Sequence, residues 1–299
     1  MRKLKINTPT LEEVKEEFLT DCKYRGLAQT TLNAYHHNIR YFNSYLIECD
    51  CELSDISSRV INAYKIYLME NTNRNVISIN TVLRHVSTYL KWLYENDYID
   101  NLIKVKYVKG QAEPKEIYSD SQIKRLLRKP KDNSYASYRS WAIVNVLVST
   151  GIRRTSLINI KLQDVDWHNN VIRLTHTKNK QVHYVNMSND LARVIKEWLK
   201  YRIGNNEYLF TTQTGTQLMA SSLTNNIYRY CRGRGVNVTS VHCFRHYFAV
   251  KFMQVNGNIF QLSKALGHSS IAITQNYLKS IDNLTYTKQH QFNVFEYLN

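Results

Sequence analysis

Two histidines, an arginine and a tyrosine in the last quarter of the chain have residue types and a spacing suited to chemistry on a phosphate. His242 and Arg245 lie three positions apart, His268 follows, and Tyr277 completes the group within 36 positions. The planar guanidinium of Arg245 can pair with two oxygens of a phosphodiester. The hydroxyl of Tyr277 can attack phosphorus and form a covalent ester. Residues three apart share one face of a helix, so His242 and Arg245 are expected to point the same way.

A second arginine, Arg153, follows a mostly apolar run over residues 141–148. The run is long enough for a buried helix, and Gly151 is typical of the residue that ends one. An arginine that emerges from a rigid buried element is well aimed at a ligand. Each of these residues alone is more often structural than catalytic, and the function is indicated by their combination.

Two lysines in a polar turn could add a proton donor. Residues 171–176 form a β-like run, and residues 181–185 are expected to be its return strand. The turn between them carries Lys178 and Lys180. Turns favour polar residues in general, so the alternative is that both lysines are merely solvated.

These sequence boxes, in this order, resemble the tyrosine recombinases of the phage integrase family. The family's Thr-Gly-Leu-Arg box is similar to residues 150–153, and its His-x-Leu-Arg-His-x-Phe-Ala box is similar to residues 242–249. Its Leu-Gly-His box, with a tyrosine nine residues on, is similar to residues 266–268 and Tyr277. The resemblance covers residues 10–282, with all the motifs in the second half.

The resemblance implies a catalytic set, which consists of Arg153, Lys178, His242, Arg245, His268 and the nucleophile Tyr277. The arginines would neutralise charge on the phosphate oxygens, and the histidines would add hydrogen bonds or move protons. His242 is the candidate acceptor for the tyrosine proton. Lys178, with Lys180 as second choice, would protonate the leaving 5′ oxygen. The phosphotyrosyl link conserves the energy of the broken bond, so no cofactor, ATP or metal ion is expected.

Two positions depart from the family pattern. The family's arginine box usually continues Arg-x-Ser-Glu or Arg-x-Gly-Glu, whereas Ser156 stands in place of the glutamate here. The family's Val-Pro-Leu at the end of the hairpin is Val-Asn-Met at residues 185–187. Ser156 could still accept a hydrogen bond, and its effect on how Arg153 is held is left open.

The charge of the chain is large, positive and unevenly placed. The net charge is +16, of which residues 1–112 carry +2 and residues 113–299 carry +14. A strongly basic second half suits a protein that grips a polyanion. Double-stranded DNA is therefore the expected partner, with binding that weakens as salt rises.

Composition also limits the setting in which the protein works. No run approaches the ~18 apolar residues of a membrane span, and residues 1–5 lack the apolar region of a signal peptide. The five cysteines are odd in number and form no metal-ligand pattern. Reduced thiols in a bacterial cytoplasm, in a bacterial or phage-encoded protein, are the expectation, with no membrane partner.

Hydrophobic periodicity predicts a mainly α fold with a small β-sheet. A capping box at Thr10 and apolar stripes within residues 32–46, 60–68 and 82–93 predict four helices. The resemblance implies that these helices form an N-terminal core-binding, SAM-like domain. The expected organisation is a helical domain over residues 1–105, a linker over 106–117 and a catalytic domain over 118–299. The candidate DNA contacts are Thr30, Thr31, Asn80, Arg84, Lys91 and Lys180.

The leading functional hypothesis is a site-specific DNA recombinase that acts through a 3′-phosphotyrosyl intermediate in DNA integration, excision or resolution. The alternatives are a type IB topoisomerase or hairpin-forming resolvase, and a DNA-binding accessory protein without catalysis. The resemblance implies a tetramer on two DNA sites, with a C-terminal tail that docks on a neighbouring subunit. Phe292, Phe295 and Leu298 form an apolar stripe in that tail. The need for a partner recombinase or accessory factor is left open.

Overall fold

The computed structural model describes residues 9–110, 117–175 and 182–279. The chain divides into two compact units, Met1–Glu113 and Pro114–Asn299. The first is helical, and the second combines helices with a three-stranded antiparallel sheet. The predicted fold class, mainly α with a small sheet, is confirmed. Within the described ranges, no helix combines the length and apolar character that a membrane span needs.

The first unit is built from four helices, as the apolar stripes predicted. They are α1 (Leu11–Tyr24), α2 (Gln29–Glu48), α3 (Ser58–Glu70) and α4 (Val76–Glu95). Helix α1 begins with the predicted capping box, in which Thr10 and Glu13 each accept from the other's backbone N–H. Aromatic rings fill much of the core, where Phe18 meets Tyr89 and Trp92 edge-on.

The chain beyond α4 stays with the first unit up to the limit of the described residues at Gly110. Ile103 is buried in the helical core, and Val108 packs against it. The side-chain amide of Asn80 donates to the carbonyl of Val108 at 3.0 Å and accepts from its N–H at 2.8 Å. The first part of the predicted linker, residues 106–110, is therefore held by specific contacts rather than by chain connectivity alone.

The described part of the second unit contains eight further α-helices and the sheet. The helices are α5 (Asp120–Leu127), α6 (Tyr135–Thr150), α7 (Arg154–Ile158), α8 (Asn189–Leu199), α9 (Ala220–Gly233), α10 (Val241–Asn256), α11 (Ile259–Leu266) and α12 (Ile271–Lys279). The strands are β1 (Val165–Asp166), β2 (Val171–Leu174) and β3 (His183–Asn186). Helix α5 also begins with a capping box, formed by Ser119 and Gln122.

The sheet has the order β1–β2–β3, and both of its strand pairs are antiparallel. Strand β2 pairs with β3 so that Leu174 lies opposite His183, and Ile172 opposite Val185. These are the two strands of the predicted hairpin, each shorter than expected from the sequence. The hairpin turn that contains Lys178 and Lys180 lies outside the described residues.

Helix α6 is the centre of the second unit's core, because it is buried on almost every side. It ends at Gly151, whose φ of 62° is left-handed. Glycine adopts this conformation without the strain that a Cβ would bring. The predicted helix stop is confirmed, and the chain turns there so that Arg153 follows within two residues.

Replacing Gly151 by alanine should destabilise the second unit by about 1–3 kcal/mol or more, because the residue must keep a left-handed φ. Its methyl group would also overlap the ring of Phe248. Gly233→Ala is the matched control, since a Cβ there meets nothing within 4 Å. That change should be neutral or stabilising by up to about 1 kcal/mol. Urea unfolding followed by tryptophan fluorescence checks both, and equal midpoints would contradict the assignment.

Candidate active site

Helix α10 presents two of the candidate side chains and a further histidine at its N-terminal end. Because His242, Arg245 and His246 fall three and four positions apart, they lie on neighbouring parts of one helix surface. Arg245 and His246 are almost completely buried, whereas His242 is exposed. The two imidazole rings meet edge to face with centroids 4.7 Å apart. The α10 surface therefore carries one buried cation between two histidines.

The guanidinium of Arg245 is held by three acceptors from two different parts of the chain. Nη1 donates to the carbonyl of Gly151 at 2.8 Å, and Nη2 donates to the carbonyl of Leu266 at 2.8 Å. Nη2 also lies 2.9 Å from Nε2 of His268. Burial, and secondarily the positive charge of Arg153, lower the pKa of Arg245 to about 10. Arg245 is still a cation at neutral pH, in a place where an anion would be strongly favoured.

Arg153, at the start of α7, reaches the loop at residues 266–268, to which Arg245 also binds. Its Nη1 donates to the carbonyl of Gly267 at 3.4 Å, a longer and weaker contact than those of Arg245. Burial lowers the pKa of Arg153, while Tyr277 acts in the opposite direction. The two guanidinium groups thus bind consecutive carbonyls, of Leu266 and Gly267, at the C-terminal end of α11.

His268 follows that loop and is a hydrogen-bond acceptor toward Arg245. A guanidinium can only donate, so Nε2 of His268 must be unprotonated. Nδ1 then carries the proton and donates to Oγ1 of Thr274 at 2.7 Å. Burial is the main cause that lowers the pKa of His268 to about 4, and Arg245 and Arg153 add to the effect. His268 is therefore neutral at pH 7.

Tyr277 lies on α12, half-buried among the histidines. Its ring stacks on that of His246, with centroids 4.8 Å apart and an interplanar angle of 15°. The rings of His268 and His242 stand edge-on to it at 5.8 and 6.1 Å. Burial raises the pKa of the Tyr277 hydroxyl, while the charges of Arg245 and Arg153 and a hydrogen bond to Arg245 lower it. The phenol is thus protonated at neutral pH, and the positive charges of the two arginines favour the loss of its proton.

A cavity of about 610 Å³ opens beside these groups. Arg153, Arg245 and His268 line it, together with His183 of β3 and the buried Ser156. A second cavity, of about 550 Å³, lies on the side of Arg245 that faces His242. The site is therefore open on two sides of Arg245, which is what a large extended substrate would need.

The structure brings together five of the six residues in the predicted catalytic set. They are Arg153, His242, Arg245, His268 and Tyr277. The sixth, Lys178, and its alternative Lys180 lie outside the described residues.

The other candidate DNA contacts lie on the first unit. Thr30, Arg84 and Lys91 are exposed, and Thr31 is half-buried. Lys91 pairs with Glu95 at 3.4 Å. The side-chain amide of Asn80 makes two hydrogen bonds to the backbone of Val108, so Asn80 has a structural role.

Three residues outside the predicted catalytic set belong to the site. His246 stacks on Tyr277, Thr274 accepts from His268, and His183 approaches the loop of Gly267. His246 lies four positions after His242 on α10, a spacing that puts it near the same helix face. No sequence pattern marked Thr274 or His183, because their contacts depend on how α11, α12 and the sheet pack.

The low pKa of His268 predicts a pH-dependent stability. The folded-state pKa of about 4 lies below the ordinary 6.5, so the unfolded chain binds this proton more readily. The free energy of unfolding should therefore fall as pH drops from 6.5 to about 4, and this part should level off below. Urea unfolding at several pH values should show a shallower fall for His268→Asn than for the wild type. His168→Asn, at an exposed turn, is the control, and an unchanged slope in His268→Asn would contradict the prediction.

Among the described residues, no group of three or more His, Cys, Asp or Glu side chains is placed to hold a metal ion. The five cysteines are all free thiols. The site brings together arginines, histidines and one tyrosine, residue types suited to binding an anion and transferring protons.

The chain matches two known family models, which together span most of its length. Residues 117–283 match the model described as phage integrase family, and residues 10–112 match the phage integrase SAM-like domain. The tyrosine recombinase XerC of Staphylococcus epidermidis is 24% identical over 280 residues, which cover 89% of this chain and 92% of the relative.

Solved structures share the fold at lower identity. The Tn1549 transposon integrase in complex with a circular intermediate DNA superposes with a TM-score of 0.75 at 18% identity, covering 90% of this chain and 94% of that one. The XerH site-specific recombinase in a post-cleavage complex with its difH substrate gives a TM-score of 0.72 at 18% identity, covering 90% and 80%. On the match of more than half its length to the catalytic-domain model, this chain belongs to the phage integrase family.

Proposed function

We propose that this chain is a site-specific DNA recombinase that cuts and rejoins DNA strands through a 3′-phosphotyrosyl intermediate. The observation that carries the proposal is the grouping of one tyrosine with two histidines and a buried arginine. The ring of Tyr277 stands edge-on to the rings of His242 and His268, and Arg245 binds His268 and lines a cavity with Arg153. This is the arrangement that attack on a phosphodiester requires. Membership of the phage integrase family and the likeness to the recombinase XerC support the same function.

The two arginines would bind the scissile phosphate. A phosphodiester resists attack because its charge repels nucleophiles, and charge grows on the non-bridging oxygens in the transition state. Arg153 and Arg245 are fixed before the substrate arrives, so little reorganisation is needed when that charge develops. A phosphate placed between them would also relieve the repulsion between the two cations.

Tyr277 would then attack phosphorus. Its hydroxyl must lose a proton, and burial makes that loss difficult while the two arginines favour it. His242 is the proposed acceptor, since its ring lies edge-on to the phenol in the described structure. The new bond joins the tyrosine oxygen to phosphorus, and the bond from phosphorus to the 5′ oxygen breaks.

The leaving 5′ oxygen needs a proton, and Lys178 is the proposed donor. In the second half of the reaction a 5′ hydroxyl of another strand attacks the phosphotyrosine. This step forms a new phosphodiester and returns the tyrosine hydroxyl. Each strand transfer therefore replaces one ester with another, and the chemistry requires no net input of energy.

The assembly and location of the enzyme are part of the proposal. Exchange between two duplexes calls for four active sites, and a cyclic head-to-tail tetramer supplies them. The apolar tail stripe proposed for subunit docking lies outside the described residues. A DNA substrate and a strongly basic second half suit work in the bacterial cytoplasm.

A plasmid assay tests the function against its alternatives. A supercoiled plasmid with two copies of a candidate site, taken from the DNA that flanks the gene, is incubated with the protein. Two recombinant products of the expected sizes are predicted. Relaxed plasmid without recombinants would instead indicate a topoisomerase, and unchanged plasmid bound by the protein would indicate an accessory factor.

Exchange of each arginine for lysine should separate catalysis from binding. Arg153→Lys and Arg245→Lys keep the charge but lose the planar fork that pairs with two oxygens. Single-turnover cleavage should fall about 100-fold or more. The dissociation constant for the site, measured by fluorescence anisotropy at fixed salt, should change little.

Arg193→Lys is the control for this pair of variants. Arg193 lies on the exposed surface of α8, where it pairs with Asp190. Its exchange should leave cleavage at the wild-type rate. Equal losses of binding and cleavage in the two site variants would mean that these arginines only grip the DNA backbone.

A further inference from the structure

We propose that His183 is a positioning residue for the arginine pair. Its imidazole ties strand β3 to the C-terminal end of α11, and so it fixes the backbone carbonyls that hold Arg153 and Arg245. This inference rests on the proposed function, because it assigns His183 a consequence for strand cleavage.

The contact joins two segments that are distant in sequence. His183 is the first residue of β3, opposite Leu174 of β2. Its Nε2 lies 3.1 Å from the carbonyl oxygen of Ala265. A carbonyl can only accept, so Nε2 carries the proton and donates. The ring also lies over Gly267, where an added Cβ would be 3.4 Å from two ring atoms.

Three consecutive carbonyls at the end of α11 receive donors from three different elements. Ala265 accepts from His183, Leu266 from Arg245 and Gly267 from Arg153. The last carbonyls of a helix have no partner within it, and they form the negative end of its dipole. Consecutive peptide planes share their Cα atoms, so a fixed carbonyl at Ala265 limits how the next two can rotate.

Gly267 is the point at which this restraint matters most. It has a left-handed φ of 60° and no side chain to limit its backbone. Its carbonyl makes the long 3.4 Å contact to Arg153, so a small rotation would lose that contact. The ring of His183 supplies packing that Gly267 itself lacks. Loss of the imidazole should therefore loosen both guanidinium groups, and Arg153 more than Arg245.

His183 could also affect strand cleavage in a second way, through the hairpin formed by β2 and β3. Strand β3 is the return strand of the turn that carries Lys178, so a shift of β3 could misplace the proton donor. The described contacts favour the arginine route, since His183 binds the same loop of carbonyls as the two arginines. The two routes predict different responses to a changed leaving group.

The first measurement is single-turnover cleavage by variants of His183. They distinguish the packing of its ring on Gly267 from the hydrogen bond that it donates to Ala265. His183→Phe keeps a ring over Gly267 but cannot donate, and it should cleave about 10- to 100-fold more slowly. His183→Gln keeps an amide donor within reach of Ala265, and it should stay within about threefold of the wild type. His183→Asn, with a shorter side chain, replaces His183→Phe in the test should the latter fail to fold. His168→Phe, at an exposed turn, is the control and should cleave at the wild-type rate.

The second measurement uses a 5′-bridging phosphorothioate, whose thiolate leaves without a proton. Lys178→Ala should recover on this substrate if Lys178 is the proton donor, whereas His183→Phe should stay slow. Recovery of His183→Phe would overturn the inference in favour of the hairpin route. The inference would also be overturned if His183→Phe cleaved DNA at the wild-type rate, or if His183→Phe and His183→Gln lost the same fraction of the cleavage rate. In each of these cases, a covalent link between tyrosine and DNA in the wild type would still support the proposed function.

Discussion

The site depends on one buried cation that is held by backbone carbonyls. Arg245 is only 3% exposed, and its guanidinium binds the carbonyls of Gly151 and Leu266 and the ring of His268. Burying a charge costs several kcal/mol unless its donors are satisfied. Here polar but uncharged groups satisfy them, so the positive charge remains available to an anion. A carboxylate in the same place would stabilise the arginine but would compete with a phosphate.

Two helix ends make this arrangement possible. Helix α6 ends at Gly151 and α11 ends at Gly267, and both glycines have a left-handed φ near 60°. Carbonyls at both ends accept from the arginines, those of Gly151 and Leu266 from Arg245 and that of Gly267 from Arg153. The positive guanidinium groups also lie at the negative ends of both helix dipoles. The ends of these two helices thus position the cations. His268 and Tyr277 come after Gly267, which lies at the end of α11.

Much of this was accessible from the sequence, and the limits have physical causes. The helix stop at Gly151, the capping box at Thr10 and the shared face of His242 and Arg245 are local features, and each was predicted correctly. Stacking of His246 on Tyr277 and the reach of His183 to Ala265 depend on how distant elements pack, and periodicity carries no information about that. Asn80 was predicted as a DNA contact from its polarity, whereas its partner Val108 lies 28 residues away. Polar residue types alone do not distinguish these two roles.

Mapping the amino acid that becomes linked to DNA shows directly whether Tyr277 is the nucleophile. In a nicked duplex, cleavage releases a short fragment that carries the free 5′ hydroxyl, so the strand cannot be rejoined and the covalent complex accumulates. The complex is then digested with protease and nuclease and analysed by mass spectrometry. We expect a single nucleotide joined through its 3′ phosphate to the peptide that contains Tyr277. A link to any other residue, or no adduct from a protein that recombines DNA, would contradict it.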